Sequence, residues 1–145
     1  MKTILLSIGL LTMASACSKW QNNQQQITKI STDGTWIISS YIDSGNDETN
    51  DFSTFRLNFL TGGVLNGADL LSSSSPYAGT WSITDSNSND DSLDDLDFNM
   101  NFNVGNKLDD LSDDWDIISY TDTEIKLIDV SGGGGGTDYL TLTKK

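Results

Sequence analysis

Residues 95–104 read Asp95-Leu96-Asp97-Phe98-Asn99-Met100-Asn101-Phe102-Asn103-Val104. From Leu96 on, every second residue is apolar and those between are Asp or Asn. A period of two sends the apolar side chains to one face of a strand and the acids and amides to the other. One face is therefore buried and the other meets water. Working outward, Phe55, Leu57 and Phe59 alternate with Arg56 and Asn58 in the same way. Turn chemistry separates such runs: Ser44-Gly45-Asn46, Thr61-Gly62-Gly63, Asp85-Ser86-Asn87-Ser88-Asn89, Gly105-Asn106, and Gly132 to Gly136.

The pattern predicts about eight strands, near Gly34–Asp43, Phe52–Leu60, Val64–Gly67, Tyr77–Thr84, Asp94–Val104, Asp114–Tyr120, Glu124–Val130 and Asp138–Thr143. No helical stripe is evident. Alternating strands with short connections define an antiparallel all-β domain, expected as a small up-and-down β-barrel, with a β-sandwich as the alternative. Closure into a barrel removes the exposed edges of the sheet. The expected inward set is Trp36, Phe55, Phe59, Trp81, Phe98, Met100 and Phe102, joined by Trp115. These side chains would line a ligand cavity if the barrel is hollow, or fill it if it is not, since an interior of this strand number can be filled by side chains. Gly34-Thr35-Trp36 recurs as Gly79-Thr80-Trp81, each read as a glycine at a turn or close approach followed by a tryptophan that opens a strand.

The start of the chain carries a different signal. Lys2, a mostly apolar run from Ile4 to Met13, and the small residues Ala14-Ser15-Ala16 form a secretory signal peptide over residues 1–16. The run falls short of the roughly 20 apolar residues that span a bilayer. Cys17, the single cysteine, follows the cleavage site directly. Ala14-Ser15-Ala16-Cys17 resembles the lipobox of bacterial lipoproteins. That resemblance implies a thioether-linked diacylglycerol on Cys17 and a lipid anchor to the membrane. Ser18, rather than an acid, implies delivery to the outer membrane, facing either the periplasm or the cell surface. Gln21 to Gln26 is a polar tract that reads as a flexible tether. Three segments result: a signal peptide 1–16, a lipidated cysteine and tether 17–30, and a barrel domain 31–145.

Composition narrows function. Eight Lys and Arg face 21 Asp and Glu, for a net charge of −13. Such a chain repels nucleic acid. It has no histidine and no second cysteine, which removes Ser-His and Cys-His nucleophile pairs, thiolate zinc sites and disulfides. No enzyme and no cofactor is expected. The acids fall in three clusters, around Asp43–Asp51, Asp90–Asp97 and Asp109–Asp116. Calcium takes roughly six to eight oxygens. Asp85, Asn87, Asn89 and Asp91 have the spacing of an EF-hand loop, but Asp90 stands where glycine is needed and Leu96 where glutamate is. Asp43, Asp47 and Asp51 are the weak calcium candidates that remain, and no metal is assigned. Most of the acids are expected to form a solvated, aggregation-resistant face.

The body resembles the lipocalin-like lipoproteins of Bacteroidota. The resemblance rests on Gly34-Thr35-Trp36, Gly79-Thr80-Trp81, the acidic-apolar strand Asp94–Val104, Leu111 to Ile117, and the final Asp138-Tyr139-Leu140-Thr141-Leu142. It implies a barrel and leaves two expectations for function. One is a carrier holding a small apolar ligand in the interior, entered past the loops Asp43–Asp51 and Ser72–Ser75, with Trp36 and Trp81 as core or floor. The other is a structural or interaction lipoprotein of the cell envelope, with a filled barrel that meets a protein partner.

Overall fold

The computed structural model describes residues 17–85, 93–131 and 135–145, with the backbone alone for 17–22 and 94. The expected signal peptide 1–16, the polar cluster 86–92 and Gly132 to Gly134 lie outside the described residues. A helix, α1 (Cys17–Thr32), precedes the strands β1 (Trp36–Asp43), β2 (Asn46–Asp47), β3 (Phe55–Leu60), β4 (Val64–Asp69), β5 (Tyr77–Asp85), β6 (Leu96–Asn101), β7 (Asp113–Tyr120), β8 (Glu124–Val130) and β9 (Thr137–Lys144). From β3 to β9 each strand pairs antiparallel with the next. β1 pairs with β3 through Trp36 and Leu57, and with β9 from Trp36 opposite Lys144 to Ile42 opposite Tyr139. The sheet thus closes on itself as an eight-stranded barrel, and β2 merely extends the end of β1. Closure sets the sandwich alternative aside.

Each predicted strand is present, with two informative shifts. The run Asp95–Val104 pairs only as Leu96–Asn101, and residues beyond it leave the sheet to enter a short 3-10 turn at Lys107–Leu111. Phe52 belongs to another 3-10 turn, Thr49–Phe52, rather than to β3. Gly79 lies inside β5, so Trp81 sits mid-strand instead of opening one. Its role is close approach: a Cβ there would stand 2.5 Å from the Asn101 carbonyl oxygen and 2.8 Å from Cδ1 of Phe102. Gly67 on β4 is the companion case, where a Cβ would lie 2.4 Å from Cδ1 of Leu108. Glycine inside a strand marks where another group comes close.

The expected tether is corrected. Residues 17–32 form α1, and Ile27 and Ile30 belong to the hydrophobic core. The barrel domain therefore begins before residue 31. Polar side chains fasten the helix: Gln24 Nε2 donates to the Ile83 carbonyl at 2.7 Å, and the Tyr120 hydroxyl donates to Asn23 Oδ1 at 3.3 Å or Gln26 Oε1 at 3.2 Å. Trp36 Nε1 donates to the Ser31 carbonyl at 2.9 Å, which pins the end of α1 over the start of β1. The helix lies across one end of the barrel, against β3 and β5.

The opposite end is covered by the two 3-10 turns. They bring in Phe52, Leu108 and Leu111, each fully buried. Asn106 caps the second turn by accepting from Leu108 N at 2.9 Å. Asp109 accepts from Val104 N and Gly105 N, both at 2.8 Å. Ser112 Oγ accepts from Phe102 N at 2.8 Å and donates to Phe102 O at 3.1 Å. From inside the barrel, Tyr41 donates its hydroxyl to the Asp110 carbonyl at 3.1 Å, and Trp115 Nε1 donates to the Leu111 carbonyl at 3.0 Å. Burial and the nearby carboxylate of Asp43 push the Tyr41 hydroxyl upward, so it stays a donor.

Candidate functional site

The seven predicted interior residues converge as expected. Trp36, Phe55, Phe59, Trp81, Phe98, Met100 and Phe102 all face inward, and none is more than 7% exposed. They pack on one another. Phe59 meets Trp81 edge-on at 5.3 Å between ring centroids and Phe98 at 5.2 Å, and Trp81 stacks with Phe98 at 5.8 Å. Nearer the end closed by the 3-10 turns, Tyr41 meets Phe52 at 5.1 Å and Trp115 at 6.4 Å. Trp115 is buried with them, as predicted. Beside Phe102 and Leu108 even an added methyl group would collide at positions 67 and 79. The two ends are lined by Ile27 and Ile30 on one side and by Phe52, Leu108 and Leu111 on the other. Depressions lie on the outer wall, such as that beside Thr80, Asn99 and Asp114, of about 530 Å³.

The structure does not bring Asp43, Asp47 and Asp51 together as calcium ligands. Asp47 turns to Thr49, accepting from its backbone N–H at 3.0 Å. The hydroxyl and N–H of Thr49 hold that carboxyl below its usual range. Asp51 turns instead to Lys107, whose Nζ lies 3.2 Å from it, 3.0 Å from Glu48 and 3.3 Å from Asp110. A lysine already supplies the positive charge this cluster needs. Among the described residues no group of three or more His, Cys, Asp or Glu is placed to hold a metal ion.

The acids of β6 and β7 form an outward ladder. Asp97 stands opposite Asp116, and Asn99 opposite Asp114. Partial burial raises the Asp97 carboxyl, and Asp116, Asp114 and Asp85 add to the effect by repulsion. Asp113, opposite Met100 at the top of β7, is raised to about 6, first by burial and then by its contact with Asp114. A carboxyl raised in the folded state resists ionising there, so its stabilisation is complete below pH ~4, the unfolded value, and is lost as pH rises through about 6. Asp113→Asn is therefore expected to raise the melting temperature at pH 8 and leave it unchanged at pH 4. Thermal unfolding at the two pH values checks this, and an equal shift at both would contradict it.

Sequence reasoning missed the groups that shut the barrel: Ile27 and Ile30 on α1, and Phe52, Leu108 and Leu111 on the turns. A signal existed for the last pair. Asn106-Lys107-Leu108-Asp109-Asp110-Leu111 places a capping residue ahead of two leucines three apart, the spacing of one helical turn. Among the described residues no helix is long and apolar enough to cross a membrane. Compared with known proteins, the chain matches no family model, no curated protein and no solved structure.

Proposed function

We propose that this chain is a lipoprotein, anchored in the outer membrane of the cell envelope through lipid on Cys17, whose lipocalin-like barrel is a filled scaffold and whose outer surface meets a protein partner. The observation that carries this reading is an interior of buried aromatic side chains in contact with one another, with α1 over one mouth and Phe52, Leu108 and Leu111 over the other. A carrier of a small apolar ligand needs a cavity of roughly 300 Å³ or more. To make one here, Phe102 and Leu108 would have to leave positions where they crowd the backbone of Gly79 and Gly67. No reaction is proposed: without histidine or a second cysteine the chain lacks the usual nucleophile pairs.

The anchor rests on Ala14-Ser15-Ala16-Cys17. Sixteen helical residues span about 24 Å, so the lipid would sit at the far end of a helix fixed to the barrel by Gln24 and Trp36. A thioether diacylglycerol with an N-acyl chain exceeds the two signals that stable attachment needs. Cells fed labelled palmitate are expected to label the native protein and not the Cys17→Ser variant, which should leave the membrane fraction. Label retained by Cys17→Ser would contradict the anchor.

A further inference from the structure

The outer wall of the barrel is not uniformly acidic. On β6 and β7 the outward positions include Asp97, Asp114 and Asp116. On β9, β1, β3 and β4 no outward position is acidic. Alternation about the buried residues turns Arg56 and Asn58 outward on β3, Asn66 and Ala68 on β4, and Thr141 and Thr143 on β9. The acids these strands do hold, Asp43, Asp69 and Asp138, share the face of the buried Tyr41, Leu65 and Leu140, where the strands reach the mouth of the barrel. In a chain of net charge −13, four adjoining strands thus present an outer wall without a carboxylate side chain.

The only arginine of the chain stands on that wall. β1 and β3 share a single register pair, Trp36 with Leu57, and Thr35 and Arg56 precede its two members. A groove of about 510 Å³ is lined here by Gly34, Thr35, Arg56, Leu70 and Lys145. Arg56 is held in place from one side: its Nη1 donates to the Ser53 carbonyl at 3.2 Å and to the Phe55 carbonyl at 2.7 Å. Its Nε is buried and finds no acceptor, a costly state for a donor. The backbone N–H of Lys145 donates to the Thr35 carbonyl at 2.9 Å, which fastens that residue to the start of β1. Lys107, Lys126 and Lys144 are each engaged by a carboxylate, Lys144 by Asp33 at 3.2 Å. Among the described residues neither Arg56 nor Lys145 forms an ion pair. From these observations we infer that the groove is a binding site for an oxyanion, a carboxylate or phosphate group, held by Arg56 and Lys145. Nε and Nη2 form the edge of a guanidinium on which two oxygens take two parallel hydrogen bonds. Lys145 adds a second positive charge to the same groove. Leu70, 59% exposed, offers an apolar side to whatever carries the group. The bare wall matters because the oxyanion meets no outward carboxylate there to repel it.

The test uses the full chain, labelled with nitrogen-15 and purified in nonionic detergent. With one arginine in the sequence, the Nε–H of Arg56 gives a single resonance that needs no further assignment. Inorganic phosphate is expected to move it along a saturating curve, at least about tenfold more tightly than chloride at matched ionic strength, the difference that charge-assisted hydrogen bonds make over screening. The backbone amides of Thr35 and Leu70 should follow the same curve. Lys145→Gln, at an exposed position, should weaken phosphate about two- to fivefold, the worth of one exposed charge. Arg56→Gln should abolish the movement of the Thr35 and Leu70 amides. Micelles doped with phosphatidylglycerol separate the sources of the group. A shift from the lipid and not from free phosphate assigns the oxyanion to a lipid head group, and a shift from both assigns the site to the group itself. Movement from neither beyond that given by chloride overturns the site, and so does movement that Arg56→Gln and Lys145→Gln both leave intact.

Discussion

Trp36→Ala is expected to destabilise the protein by about 3–5 kcal/mol, the usual cost of emptying a large aromatic site in a core. Trp36 is fully buried, and three separate elements rely on it. It gives β1 its one register partner in β3, Leu57. Its indole N–H holds the Ser31 carbonyl at the end of α1. Its ring lies 5.2 Å beneath Lys144 Nζ, near the close of β9. Truncation leaves a void at the junction where the barrel closes and the helix lands. Barrels and cores relax only in part around such a void, because their packing is dense. Urea unfolding of both proteins measures the difference. A loss under about 1 kcal/mol would mean that the seam does not depend on this side chain.

The second large effect is expected from Ile27→Asp, at more than about 3 kcal/mol. The substitution removes a buried aliphatic group worth about 1.5–3 kcal/mol. It also sets a carboxylate where no water reaches, which adds a desolvation cost. The experiment separates a docked helix from a polar tether. On a tether, Ile27→Asp would change stability by no more than about 0.5 kcal/mol, as at an ordinary surface site. Gln25→Asp, at an exposed position of the same helix, is the control expected to have little effect.

What was legible in the sequence, and what was not, follows from the physics of each segment. Strands report themselves by alternation, because a sheet with one wet face leaves a period of two in the chain. That is why Phe55 to Phe59 and Leu96 to Asn101 read as strands, with Trp36, Trp81 and Phe98 turned inward. The helix was hidden because its buried stripe is narrow: Ile27 and Ile30 stand in a sequence of Gln, Asn, Lys and Thr. Much of its docking comes from side-chain amides reaching strand ends, such as Gln24 on Ile83, which no hydropathy pattern records. The lids were hidden for a related reason. Phe52, Leu108 and Leu111 lie on short 3-10 turns, and so few residues cannot show a period. The choice between a hollow and a filled barrel therefore could not be read from the strands, because the residues that close the ends lie between them. The acidic loops misled in the other direction. Asp51 reads with Asp43 and Asp47 as a weak calcium candidate, and only the fold brings Lys107, distant in sequence, onto Asp51, Glu48 and Asp110.

The central claim is that the barrel is filled by its own side chains. Native mass spectrometry of the protein purified from the cells that make it tests this most directly, with each sample weighed once under native and once under denaturing conditions. The two masses, each including any covalent lipid, are expected to agree. A further organic mass present in the native sample and lost on denaturation would show a ligand held by the fold, and would contradict a barrel packed with Trp36, Phe59, Phe98 and Trp115.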